Sequence, residues 1–145
     1  MPFCHIEFVS LRPTLRALSL VAAATLLVGC EDTPSVPSPP ADASHAVVLE
    51  TYLRALLAED CVTAHALGTD TFTVGNGELC DAVVVSAFEP IGEPAGPRDG
   101  EVTYSTVLTT SGSGDGSIRP GRLTWFYSLA ERDGEWRLVG GGSGP

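Results

Sequence analysis

The feature that most limits what this chain can fold into is Asp133-Gly134, set between two stretches rich in apolar residues, 122–132 and 135–141. Asp-Gly is a favoured pair for a two-residue type I′ turn, whose central residues both take positive φ. So short a loop leaves the pairing little freedom. Arg132 should oppose Glu135, Glu131 should oppose Trp136, and Leu129 should oppose Leu138. Alternation along the strands then puts Leu123, Trp125, Tyr127 and Leu129 on one face with Trp136 and Leu138. A slip of one residue would turn both tryptophans into water, so the register is strongly specified. The result is a hairpin with an apolar wall that must be covered.

The cover is encoded upstream. Val48, Leu49, Tyr52, Leu53, Leu56 and Leu57 recur at three- and four-residue spacing, the pattern of one helical face. Ser44 is placed to cap this helix, and Glu50 precedes Arg54 by four residues on the polar side. Asp60 can cap a second, shorter helix over Cys61 to Leu67, stopped by Gly68. Residues 82–91 read as a strand whose valine run hides which face is buried, and 92–100 read as punctuation. Val102, Tyr104 and Leu108 alternate with polar residues, as in a half-buried strand. Residues 111–121 read as a flexible connection, and the glycines from Gly140 onward as a frayed strand end. This order predicts an α+β fold, with an N-terminal helix and a short second helix packed on a curved antiparallel sheet of three to four strands.

Ahead of the domain, Arg12 and Arg16 precede an uncharged, largely apolar run from Ala17 that closes in Leu27-Val28-Gly29-Cys30. That layout is a removable secretory signal, and the run is short for a bilayer-spanning helix. Its last four residues resemble a bacterial lipobox, in which a small residue precedes the cysteine at which signal peptidase II cuts. The resemblance implies a diacylglyceryl thioether on Cys30. It also implies a location on the outer face of the cytoplasmic membrane, or on the periplasmic side of an outer membrane where the cell has one. The expected organisation is a signal peptide over 1–29, a lipidated cysteine with a proline-rich tether over 30–44, and a single domain over 45–145. Glu7 and the apolar residues around it do not suit a charged leader, so translation is expected to start at Val9 or Leu11. Cys4 and His5 are therefore given no role.

Charge narrows the partners. The chain carries a formal net charge of −10, and removing the signal, which holds two arginines and one acid, makes it more acidic. Such a chain lacks the basic surface that nucleic acid or anionic lipid headgroups require. The expected membrane partner is reached through the lipid alone, and the acidity serves solubility.

The domain's two ends, VVLETYLRALLAEDCVTAHAL (47–67) and TWFYSLAERDGEWRLVGGGSGP (124–145), resemble the nuclear-transport-factor-2-like superfamily, a cystatin-like α+β roll. Trp125, Tyr127, Leu129, Asp133, Gly134, Trp136 and Arg137 are the positions that match in the second stretch. Three-helix members have a further helix near the position of Glu78-Leu79-Cys80, which is short or missing here. The resemblance implies a helix lid over a cone-shaped sheet. It does not imply one activity, because the superfamily holds isomerases, dehydratases, polyketide cyclases and pure binding domains.

In an exported, oxidising setting, Cys61 and Cys80, nineteen positions apart, point to a disulfide, with free structural thiols as the alternative. No CxxC or Cys/His spacing supports a metal or nucleophilic role for them. Enzymes of the superfamily pair an acid with a tyrosine or a second acid inside the cone. Tyr52, Tyr104 and Tyr127 are placed to line such a space with Trp125 and Trp136, with Asp70 or Asp81 near its rim. Glu89 lies on the strand of unassigned facing, and His65 is the one histidine well inside the domain. No phosphate loop, dinucleotide fingerprint, metalloprotease helix, nucleophile elbow or calcium loop is present. The sequence therefore names no catalytic, cofactor-binding or metal-ligating residue. Three function classes follow: a tethered non-catalytic module for an envelope protein or a small apolar ligand, an isomerase or dehydratase using the cone, and a structural envelope lipoprotein. The aromatic residues are numerous enough to fill a small interior, so a shallow cleft without a paired acid and histidine is expected.

Overall fold

The computed structural model describes residues 35–144. The expected signal peptide and Cys30, the expected lipidation site, lie outside the described residues. Among the described residues two helices, α1 (His45–Leu57) and α2 (Cys61–Ala66), and a single 3₁₀ turn (Val74–Asn76) precede five strands: β1 (Val85–Phe88), β2 (Ala95–Arg98), β3 (Glu101–Thr110), β4 (Gly121–Arg132) and β5 (Glu135–Gly142). The fold is α+β, with the two helices packed on an open antiparallel sheet. Among the described residues no helix is long and apolar enough to cross a membrane.

Both helices form where local chemistry places them. Ser44 Oγ accepts from the Val47 N–H, and Asp60 Oδ1 accepts from the Thr63 N–H at 3.1 Å, so each helix has its side-chain cap. Val48, Leu49, Tyr52, Leu53 and Leu56 are buried on one face of α1. Leu57, expected on that face, is 41% exposed, and Ala55 takes a buried place instead. Asp60 has a second task. Its Oδ2 accepts from the Val36 N–H at 2.9 Å, and Thr63 Oγ1 donates to the Val36 carbonyl at 3.2 Å. The proline-rich segment is thus fastened to the start of α2, and the Val36 and Thr63 bonds hold the Asp60 carboxyl below the usual carboxylate range.

The sheet order is β1-β3-β4-β5, with β2 also paired to β3. The C-terminal hairpin has the expected register: Arg132 opposite Glu135, Glu131 opposite Trp136, and Leu129 opposite Leu138. Asp133 and Gly134 take φ of 53° and 83°, as a type I′ turn requires. Beyond Leu138 a bulge shifts the register, so that Gly140, Gly141 and Gly142 pair with Ser128, Tyr127 and Phe126. The glycine run is therefore strand, where a frayed end had been expected.

The other edge departs further from expectation. The stretch 82–91 is strand only over β1, and the punctuating stretch 92–100 contains β2. Both short strands pair with the same side of β3, β1 near Leu108 and β2 near Thr103. One edge strand has been cut in two around Pro90 and Pro94, which cannot donate to a ladder. That break raises the strand number from the expected three to four to five. The valine run resolves through this pairing, with Val83 and Val85 buried and Val84 47% exposed.

The buried face of the sheet carries Val102, Tyr104, Thr106 and Leu108 from β3, Tyr127 and Leu129 from β4, and Leu138 from β5. Tyr52 of α1 meets Tyr127 edge-on at 5.3 Å between ring centres and Phe72 at 5.6 Å. The core is centred on these tyrosines. The tryptophans, expected on the apolar wall of the hairpin, are half-buried at the margins of the core. The physical reason is the indole N–H, which needs an acceptor: Trp125 Nε1 donates to the Gly77 carbonyl at 3.2 Å, at the end of the core. Trp136 packs edge-on against His45 at 4.9 Å.

Candidate functional site

Residues 67–84, together with His65 of α2, carry the site, and three devices hold the segment. The Cys61–Cys80 disulfide, with Cα atoms 5.5 Å apart, ties the start of α2 to this segment as the cysteine spacing predicted. At one edge, the Leu67 carbonyl accepts from the Leu138 N–H at 3.0 Å, and the Thr69 N–H donates back to the Leu138 carbonyl at 2.9 Å, covering the open side of β5. In the middle, Gly77 lies against the backbone of Gly141. With φ of 94° at Gly77, a Cβ there would fall 2.3 Å from the Gly141 carbonyl carbon. Only a glycine permits that approach. Asn76 Nδ2 adds bonds to the carbonyls of Thr71 and Val139, each at 3.0 Å.

This clamping buries Glu78, which sequence reasoning did not single out. Its side chain is 2% exposed. Oε1 accepts from the Cys80 N–H at 2.6 Å and faces the Tyr52 hydroxyl at 3.4 Å. The Tyr52 oxygen also accepts from the Leu79 N–H at 3.2 Å. Oε2 is buried without a hydrogen-bond partner. It lies 3.7 Å from His65 Nε2, and His65 Nε2 lies 3.3 Å from Asp81 Oδ2. A histidine is therefore paired with two acids, contrary to expectation. His65 comes from the last turn of α2, and Glu78 and Asp81 flank Cys80, so the disulfide braces the two segments that carry them. Nothing in the linear pattern signals Glu78. Its burial depends on Tyr52 26 positions away and on the close approach of Gly77 to Gly141.

The phenols beside Glu78 are sealed in. Burial, and secondarily the Glu78 carboxylate, push the Tyr52 phenol far above its ordinary range. Burial also raises Tyr127, whose hydroxyl lies beside that of Tyr52 without the geometry of a hydrogen bond. Both phenols keep their protons. Tyr104 is raised as well, by burial and then by Glu93, and its hydroxyl meets His45 Nδ1 at 2.7 Å. Of the five aromatics expected to line a cleft, Tyr52, Tyr104 and Tyr127 are core, while Trp125 and Trp136 face clefts.

Two clefts meet at Glu78. The larger, about 610 Å³, has Leu79, Ala82, Ile118, Leu123 and Trp125 on its walls and Arg119 and Arg122 among its polar residues. One wall is the 111–120 loop, expected to be flexible and here organised by Asp115. Its Oδ1 accepts from Ser113 Oγ at 2.5 Å, Ser117 Oγ at 2.7 Å and the Ser117 N–H at 3.0 Å, which brings the carboxyl down to about 2. The smaller cleft, about 350 Å³, opens on His65, Asp70, Thr73, Glu78 and Asp81. Glu89, the other acid considered, lies outside both clefts and pairs with Arg122 across the sheet edge.

No protein-family model matches this chain, and no curated protein matches it. The site must be read from its own geometry.

Of the two acids expected near the rim, the structure brings Asp81 to His65 and puts Asp70 on the wall of the same cleft. It places neither beside the tyrosines of the core.

Proposed function

We propose that this protein is an extracytoplasmic lipoprotein, anchored through a diacylglyceryl group on Cys30, whose domain is a compact nuclear-transport-factor-2-like roll acting as a non-catalytic binding module. The observation that carries the binding reading is the position of free space. The interior between α1 and the sheet is filled by Tyr52, Tyr104 and Tyr127, each no more than 2% exposed. The room lies at the surface instead, and the surface cleft of about 610 Å³ has an apolar lining of Leu79, Ala82, Ile118, Leu123 and Trp125, where the wider one along the opposite sheet face is lined mainly by polar residues and glycines. Open apolar clefts with a polar rim suit a small apolar ligand or the apolar side chains of an envelope partner. The arginines on that rim favour an occupant with an acidic or carbonyl-bearing end.

The observation favouring an isomerase or dehydratase is Glu78 beside Tyr52. Against it, the Tyr52 hydroxyl is already engaged by the Leu79 N–H and is fully buried, so no substrate atom reaches it without displacing the core.

Two measurements test the proposal. Cys30→Ala should release the protein from membranes; unchanged membrane association refutes the anchor. In a Trp136→Phe background Trp125 is the remaining tryptophan. Its fluorescence should shift on titration with an apolar anionic dye, and Leu123→Glu should abolish the shift. A shift that survives Leu123→Glu refutes the cleft as the binding site.

A further inference from the structure

Glu78 presents an unusual combination. One carboxylate oxygen is oriented by the Cys80 N–H at 2.6 Å, while the other is buried, unbonded and directed towards His65 and Asp81. A buried carboxylate oxygen without a donor is costly, because it loses hydration and receives no hydrogen bond in return. The imidazole nitrogen at 3.7 Å is too far to supply one. The cost is removed if a cation occupies the space between the three side chains.

The geometry points to a divalent transition-metal site formed by His65 Nε2, Glu78 Oε2 and Asp81 Oδ2, with zinc the best-matched ion. The three atoms lie within 4.8 Å of one another, with His65 Nε2 3.3 Å from Asp81 Oδ2 and 3.7 Å from Glu78 Oε2. Ligand atoms held at about 2.0–2.2 Å from a tetrahedral zinc ion are themselves about 3.3–3.6 Å apart. One imidazole and two carboxylates suit zinc and its first-row neighbours, whereas calcium and magnesium favour all-oxygen shells. The cleft of about 350 Å³ that opens on the three residues gives entry and leaves room for water at a further coordination position.

Two structural supports make the site pre-formed. The disulfide joins Cys61, one helical turn before His65, to Cys80, which lies between Glu78 and Asp81. The Cys80 N–H fixes the rotation of the Glu78 carboxylate in the way outer hydrogen bonds fix metal ligands generally. The inference is independent of the lipid anchor and of the apolar cleft.

The test uses the full chain, tag-free and non-reduced, with free thiols alkylated so that Cys4 and Cys30 cannot bind metal. Zinc chloride alone is titrated by calorimetry, with X-ray absorption on the loaded protein. One zinc per chain, with one imidazole in a nitrogen and oxygen shell, is expected. Asp81→Asn changes an exposed side chain and should preserve the fold while weakening zinc binding at least tenfold. His65→Gln should do the same, and Glu78→Gln should weaken binding further. Asp70→Asn, on the wall of the same cleft but outside the triad, should leave affinity unchanged. Absence of stoichiometric binding overturns the inference. So does binding that Asp81→Asn and His65→Gln leave intact, which would mark adventitious capture by surface carboxylates.

Discussion

The two central tyrosines should respond in opposite directions to loss of the same atom. Tyr127 and Tyr52 are both fully buried and in edge-on contact. The Tyr127 hydroxyl has no hydrogen-bond partner, whereas the Tyr52 hydroxyl accepts from the Leu79 N–H at 3.2 Å and faces Glu78 at 3.4 Å. Burying a hydroxyl without a partner costs about 1–3 kcal/mol on mutational scales. Tyr127→Phe removes that cost and leaves the ring packing in place, so stabilisation of about 1 kcal/mol is expected. Tyr52→Phe leaves the Leu79 N–H unpaired and removes one of the two donors to Glu78 Oε1, and a loss of about 2 kcal/mol is expected. For a domain of this size each kcal/mol moves the melting temperature by roughly 4–8 °C. Thermal and urea unfolding of the oxidised protein, followed by near-ultraviolet circular dichroism, would give both signs. Because the rings touch, the double variant must be measured and the coupling extracted. If Tyr127→Phe destabilises as much as Tyr52→Phe, the Tyr127 hydroxyl is a working donor and the reasoning is wrong.

Two further predictions concern the clamped segment. Replacing Cys61 and Cys80 together by alanine should cost about 3 kcal/mol for a loop of this length, and should weaken zinc binding as the ligand segments separate; urea unfolding and calorimetry check the two effects. Gly77→Ala forces a Cβ to within 2.3 Å of the Gly141 carbonyl carbon at a φ of 94°. A loss of about 2 kcal/mol or more is expected, together with greater exposure of Trp125 as its Gly77 acceptor moves, seen as a red shift in its emission.

What the sequence by itself determined is what short-range chemistry controls. The Asp133-Gly134 turn allows one tight pairing, so the hairpin register follows from neighbouring residues alone. Ser44 and Asp60 cap the helices a few positions away, and the spacing of apolar residues in α1 selects the face that is buried. The disulfide was legible because the predicted domain has two cysteines and the expected export signal would place them in an oxidising compartment. Tertiary structure decided the rest, wherever the outcome rests on partners far along the chain. The facing of Val85 was settled by pairing with β3, and the edge strand broke where prolines could not complete that pairing. The tryptophans moved to the margin because the acceptor for Trp125 is a carbonyl 48 residues away. Glu78 reads in the sequence as one more surface acid among many. It becomes a buried group with an open coordination position only when Gly77 seats on Gly141, Cys80 bonds Cys61, and α2 brings His65 to its side. No local propensity encodes that meeting, because its free energy comes from burial and cross-linking of segments that are separate until the chain has folded.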